Sequence, residues 1–389
     1  MNKLLLGTAV VVFLMITGLT VGSANAQSKN SLMIGVTLEP PHLDPTAGAA
    51  AAIDETVYAN VFEGLTRIDQ NGAIQPQLAE SWTVSDDGLV YTFNLKRDVT
   101  FHDGTSFEAS DVVFSFDRAR AGDSVNAQKA LFAAIETVEA TDPMTVKVTL
   151  SRPEGSLLFN LGWGDAVIVA PESAATNKTS PVGTGPFKFS RWVKGDRVEL
   201  VAVAPDAPIQ KATFRFMSDP SAQVAALKAG DIDAATYLNA PEAVLAFQAD
   251  RNFEVAIGTT EGETILSINN TRAPLDDVRV RRAIAHGIDR KAIIDGAMFG
   301  FGTPIGSHFA PHHPAYVDLT GTYPHDPAKA RALLAEAGVT DLAVTLKLPP
   351  PAYARRSGEI VAAQLKEVGI TVEIVPVEWA QWLEQVFRG

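Results

Sequence analysis

The first 26 residues constrain this chain most, because they decide the compartment in which the rest must fold. Lys3 supplies a short basic start, and residues 4–21 are apolar with interspersed Gly7, Thr8, Thr17, Gly18 and Thr20. Ala24-Asn25-Ala26 then offers a small-x-small cleavage site before Gln27. These are the three parts of a secretory signal peptide. The competing reading is an uncleaved membrane anchor, which the cleavage site and the polar Gln27-Ser28-Lys29-Asn30 oppose. No cysteine follows the apolar run to carry a lipid, and no later segment is apolar over a membrane-spanning length. The mature chain is expected to be exported, periplasmic and soluble. The absence of cysteine also removes disulfides, zinc–thiolate sites and thiol nucleophiles. In an oxidising compartment such a chain must be held by a large apolar core.

Composition allows that core. The chain has 389 residues, 46% hydrophobic and 20% charged, which fits two to three globular domains rather than a disordered chain. With 32 basic and 45 acidic residues the net charge is -13. This acidity, with no basic run, argues against nucleic acid and against an anionic membrane surface as partner.

The patterning alternates strands and helices, which implies an α/β fold with mixed sheets. Residues 32–38 read as a strand ended by Glu39-Pro40-Pro41, and residues 53–62 as a helix. Residues 82–84 and 90–95 flank Ser85-Asp86-Asp87-Gly88, a hairpin with its positive-φ turn at Asp87-Gly88. Tyr91, Phe93 and Leu95 share the inner face. Helix 110–120 buries Val112, Val113 and Phe116, and residues 146–150 form another strand. Further strands are expected at 187–189, 198–203, 214–216, 265–268, 342–348 and 371–375. Helices are expected at 221–229, 278–287, 290–299, 327–337 and 358–368, with Asp276-Asp277 and Asp289 as N-caps and Gly230, Gly338 and Gly369 as stops. A last helix starts at Trp379. The region from Asn269 onward has two strong strands and reads as a second lobe lacking its C-terminal part.

No phosphate-loop, zinc-protease or nucleophile-elbow motif occurs. Gly183-Thr184-Gly185-Pro186 reads as a tight turn, since Pro186 removes an amide that a phosphate nest needs. His308, His312 and His313 are a transition-metal candidate or a proline-stiffened loop, with no carboxylate at ligand spacing. Asp86-Asp87 and Asp276-Asp277 sit where turns and caps need Asp. Arg279, Arg281 and Arg282 read as a solvated face or as partners of Asp276 and Asp277. No catalytic residue, metal site or cofactor is expected.

Several blocks point further. Ala79-Glu80-Ser81-Trp82, the Asp87-Gly88 hairpin, Phe93-Asn94-Leu95-Lys96-Arg97, Phe101-His102-Asp103-Gly104 and the helix opening at Asp111-Val112 follow one another in order. Residues 181–187, residues 226–233 and the stretch from Ile268-Asn269 to Asp289-Arg290 continue the series. Together they resemble the dipeptide/oligopeptide/nickel class of solute-binding proteins of ABC transporters, family 5. The resemblance spans nearly the whole mature chain.

It implies a two-lobed periplasmic-binding-protein fold (type II, class C) with an extra N-terminal subdomain. Lobe I would take residues 27–46 and 181–266, the inserted subdomain 47–180, and an incomplete lobe II 267–389. It implies a receptor that captures a peptide or peptide-like solute between the lobes and passes it to an ABC permease, acting as a monomer. The ligand candidates are Glu39 and His42 after the first strand, Trp163 between Gly162 and Gly164, Asn269 at the crossover, and Tyr353 and Arg355 in the proline-rich stretch that resembles the family's carboxylate-binding loop. Trp163 also fits a core position, Asn269 a turn cap, and Arg355 a helix start. A secreted hydrolase using paired carboxylates and a peptide-presenting chaperone or sensor are the alternatives.

Overall fold

The computed structural model describes residues 30–48, 50–260, 262–313 and 315–387. The export signal expected at residues 1–26 lies outside them. Strand β1 (Ser31–Val36) is followed by α1 (Ala51–Val57), β2 (Thr66–Ile68), β3 (Ile74–Pro76), β4 (Ala79–Val84), β5 (Val90–Leu95), α2 (Ala109–Arg120), β6 (Ile135–Asp142), β7 (Thr145–Leu150) and the one-turn α3 (Leu157–Asn160). The chain continues with β8 (Phe187–Val193), β9 (Arg197–Ala202), β10 (Lys211–Phe216), α4 (Pro220–Ala229), β11 (Ala234–Ala235) and α5 (Pro241–Gln248). It ends with α6 (Val278–Gly287), α7 (Arg290–Met298), α8 (Pro327–Glu336), β12 (Leu342–Leu348), α9 (Ala352–Glu367), β13 (Ile370–Pro376) and α10 (Trp379–Trp382). No helix among the described residues is long and apolar enough to cross a membrane.

Three apolar clusters organise these elements. The first sheet has the order β11-β1-β10-β9-β8, with β1 parallel to both β10 and β11 and the β8–β9–β10 run antiparallel. Val36, Val198, Leu200 and Phe214 from this sheet pack with Ile53 and Val57 of α1 and with Val167 and Val169. So α1, Val167 and Val169 share a core with this first sheet, while Ile168 packs into the next cluster. The second cluster fills the face of the antiparallel sheet β4-β5-β7-β6. Tyr91, Phe93 and Leu95 are buried there, as their alternation requires, against Val112 and Phe116 of α2. Gly88 takes the turn at φ +70°, and its amide donates to the Ser85 carbonyl at 2.8 Å.

The third cluster unites α6, α8 and α9 with the parallel pair β12–β13. Its helix starts are capped as their sequences demand. Asp277 accepts from the Arg279 amide at 2.7 Å, Asp289 from Ala292 at 3.1 Å and Asp326 from Lys329 at 2.9 Å. Residues 265–268, expected as a strand, form none, and Ile265 and Leu266 are exposed. Among the described residues no strand lies alongside to complete a ladder, and β-propensity without a partner does not make a strand.

Candidate functional site

In an open α/β sheet the carboxyl ends of parallel strands are where ligands bind, because loops diverge there and leave a crevice. Leu38 just beyond β1 and Tyr237 just beyond β11 emerge at that edge, and both are largely exposed. Glu39 emerges there too. Its carboxylate accepts the Trp192 indole N–H at 3.0 Å and the Gly195 amide at 3.0 and 3.1 Å, so it braces the β8–β9 turn. His42 lies in the next turn, where its Nδ1 accepts from the Asp44 amide at 3.3 Å. Burial, then the charge of Lys178, lowers its pKa, which favours the neutral ring that this bond needs.

Trp163 stands on the turn after α3, with 39% of its surface exposed. Its flanking glycines have definite causes. A β-carbon on Gly164 would overlap the carboxylate of Asp54, 2.6 Å from its Cγ. One on Gly162 would come within 3.0 Å of Ile68 Cγ1. The turn is fixed from behind, since the Tyr58 hydroxyl donates to the Gly162 carbonyl and Asn126 Nδ2 donates to the Asp165 carbonyl at 2.8 Å. Trp163 is therefore a rigidly presented aromatic rather than a side chain on a loose loop.

An aromatic series runs from it across to the loop between α7 and α8. Trp163 meets Phe159 edge-on with ring centres 6.4 Å apart, and Phe159 meets His313 edge-on at 6.3 Å. His313 stacks on Phe309 at 4.6 Å. One end follows α3 and the other lies between α7 and α8, about 150 residues further along the chain. His308 pairs with Glu263 at 3.2 Å, and no metal-holding group of three or more His, Cys, Asp or Glu occurs among the described residues.

The other expected ligand residues sit elsewhere. Asn269 Oδ1 accepts from the Thr271 amide at 3.1 Å and its hydroxyl at 2.6 Å, which makes a local turn. Tyr353 is on the first turn of α9 and 37% exposed. Arg355 pairs with Glu359 one turn along the same helix at 3.2 Å. Its neighbour Arg356, in the same proline-rich stretch, reaches Glu242 of α5 at 3.3 Å and lies over the Phe299 ring. Phe159, Phe309 and Asp54 were invisible in the sequence, because nothing in their local spacing marks them. The one available hint was the small-Trp-small run at residues 162–164.

The arrangement offers an aromatic surface shared by two units, with polar groups around it and no assembled nucleophile or metal, the chemistry of recognition. Comparison with known proteins agrees. The glutathione-binding protein GsiB of Escherichia coli K12 is 32% identical over 359 residues, spanning 88% of this chain and 69% of that protein. The structure superposes on the periplasmic binding protein DppA of Helicobacter pylori, solved with the peptide STSA, with a TM-score of 0.74 and 27% identity over 91% of this chain and 75% of that one. It superposes on NikZ of Campylobacter jejuni, solved with Ni(L-His), with a TM-score of 0.76 and 27% identity over 90% and 74%. These neighbours share the two-lobed α/β architecture. The family described as bacterial extracellular solute-binding proteins, family 5 Middle, matches residues 73–389. With four-fifths of its length matched to a family of solute receptors, not of enzymes, the chain belongs to the bacterial extracellular solute-binding proteins of family 5.

Proposed function

We propose that this chain is a periplasmic receptor for a peptide or peptide-like small solute, which it captures between its two lobes and delivers as a monomer to the permease of an ABC transporter. The observation that carries this reading is the aromatic series from Trp163 through Phe159 to His313. A solute lodged there touches the subdomain and the C-terminal unit together. Contact with both exists only when the lobes are closed, so the solute favours closure by the difference in its affinity for the two states. The closed form then presents a surface that a permease reads. Residues 1–26 are proposed as the export signal that brings the chain to the periplasm.

Relatives that bind glutathione and the peptide STSA support a peptide-like ligand. A relative solved with Ni(L-His) keeps a small amino-acid complex within the same class. The full chain, purified from periplasmic extract and denatured gently, is expected to release its solute for identification by mass spectrometry. Calorimetry with the identified compound should give saturable binding without turnover. Product formation from a panel of peptides would sink the receptor reading in favour of a hydrolase.

A further inference from the structure

Residues 299–326, between α7 and α8, hold no helix or strand among those described. A connection of this length without secondary structure is uncommon in a compact domain. Its tip carries the Phe309–His313 stack that meets Phe159. Apolar burial does not fix its shape, since Phe309, Val317 and Leu319 are all exposed. The shape rests instead on a neck where two limbs meet. A β-carbon on Gly306 would overlap the Leu319 nitrogen and lie 2.6 Å from that of Thr320, so the limbs touch backbone to backbone. Beside that contact the Val317 amide donates to Ser307 Oγ at 3.2 Å. Arg290, at the start of α7, spans the same neck. Its guanidinium donates to the Ile305 carbonyl on one limb at 3.3 Å. On the other limb it reaches the carbonyls of Tyr323 at 3.1 Å and Thr320 at 3.5 Å. Its own base is fixed, because the Asp289 amide donates to Gln364 Oε1 of α9 at 3.0 Å.

A cation in the first turn of a helix opposes the macrodipole, so helix formation does not account for Arg290. Hydrogen bonds from a charged donor are stronger than neutral ones, and a planar fork bridges two limbs in a fixed geometry that an ammonium group does not supply. We propose that Arg290 is a positioning residue: by clamping both limbs of the neck it holds the Phe309–His313 stack against Phe159, where the solute lodges. His286 does not replace it, because its ring reaches the Pro324 carbonyl at 2.7 Å, on the second limb alone. The effect on the solute rests on the receptor reading, while the clamp itself does not.

The test is carbon–proton NMR of the histidine rings in the full chain. His313→Gln assigns the His313 signal. The signal of His102, held between Gly183 and Gly185, reports on folding elsewhere. The stacked Phe309 ring should displace the His313 ring protons upfield. In Arg290→Ala and Arg290→Lys that displacement is expected to be lost while the His102 signal stays. Ethylguanidinium added to Arg290→Ala should restore it, and ethylammonium should not. A role confined to the charge or to the stability of α7 predicts neither the loss in Arg290→Lys nor that selective rescue. Calorimetry with the tripeptide Ala-Leu-Ala reads the consequence. Arg290→Ala should bind it roughly tenfold more weakly, because the loop must then be ordered on binding. A His313 signal unmoved in both variants, or equal affinity of protein and Arg290→Ala for the tripeptide, overturns the proposal. If the unmodified protein does not bind the tripeptide, the peptide reading has failed, and the ring signals alone decide the clamp. If both Arg290 variants lose the His102 signal as well, Gly306→Ala decides, since it parts the limbs with Arg290 in place. A displaced His313 signal that persists there overturns the proposal, and its loss keeps it.

Discussion

Arg356 of α9 pairs with Glu242 of α5 at 3.3 Å, and its guanidinium lies 5.5 Å from the centre of the Phe299 ring. The pair joins a helix that follows the first sheet to one that covers β12 and β13. Side chains on both partners are part exposed, so the attraction is screened and weak, of the order of 0–1 kcal/mol. It therefore acts as a bias on the relative placement of the two units rather than as a lock. Arg356→Ala is expected to change the thermal midpoint little. It should shift the population with the units apart by no more than about fivefold. Because the chain has no cysteine, dyes can be placed at Asp86→Cys and Lys366→Cys without background. A distance distribution between them identical in protein and variant would show that the pair carries no bias.

The carboxylates of Asp54 and Asp165, shut off from solvent at their Oδ1 atoms, make a prediction about pH. A carboxylate raised in the folded state binds its proton more tightly there than in the unfolded chain. The stability it provides is full below the unfolded value near 3.8 and is lost as pH rises through its folded pKa. For Asp165, raised by burial, that loss runs from about 3.8 up to about 6, and for Asp54, raised by burial and then by the charge of Asp165, from about 3.8 up to about 7. Glu55, Glu63 and Asp111, raised chiefly by burial, act in the same sense, while His42 and His102, lowered chiefly by burial, oppose it. The readout is therefore the difference between the protein and Asp54→Asn. Between pH 5 and 8 the unmodified protein should lose on the order of a few kcal/mol more stability than the variant. Parallel denaturation midpoints across that range would exclude an ionisable Asp54.

Gly88 tests the hairpin. Its φ of +70° is one that a β-branched residue reaches only with strain, and its amide closes the turn onto Ser85. Gly88→Val should cost about 1 kcal/mol or more in chemical denaturation. Gly88→Asn should cost much less, since Asn tolerates the left-handed region.

That turn marks the boundary of what local sequence carries. Asp87-Gly88, the caps Asp277 and Asp289, the stops Gly230 and Gly338, and the face of Tyr91, Phe93 and Leu95 are determined within a few residues, and each is legible in the chain. Strand 342–348 was legible to its ends, while α9 starts six residues earlier than its pattern implied, because Pro351 precedes it and tertiary packing supplies the rest. The site is different in kind. Trp163 and His313 are 150 positions apart, and the pairing of Glu39 with Trp192 and Gly195 spans more than 150. Such juxtapositions are products of topology. Composition at residues 162–164 flags Trp163, but nothing near Asp54 says that its carboxylate will meet Gly164.

Trp163 is the side chain on which the receptor reading bears most directly. It presents an indole that is more than a third exposed, on a turn held by Tyr58 and Asn126, and it contributes little to any core. Its truncation should therefore separate folding from binding. Trp163→Ala is expected to move the thermal midpoint by only a few degrees, since the lost contact is an edge-on pair with Phe159 worth about 0.5–1.5 kcal/mol. Solute affinity should fall by roughly tenfold to a hundredfold, the usual consequence of removing an aromatic anchor from a recognition surface. Trp163→Phe should recover most of that affinity, and Phe159→Leu should lose part of it by freeing the ring that links Trp163 to His313. Calorimetry with the co-purified solute measures all three. An unchanged affinity in Trp163→Ala, in a protein that still melts cooperatively, would move the binding surface away from this aromatic series.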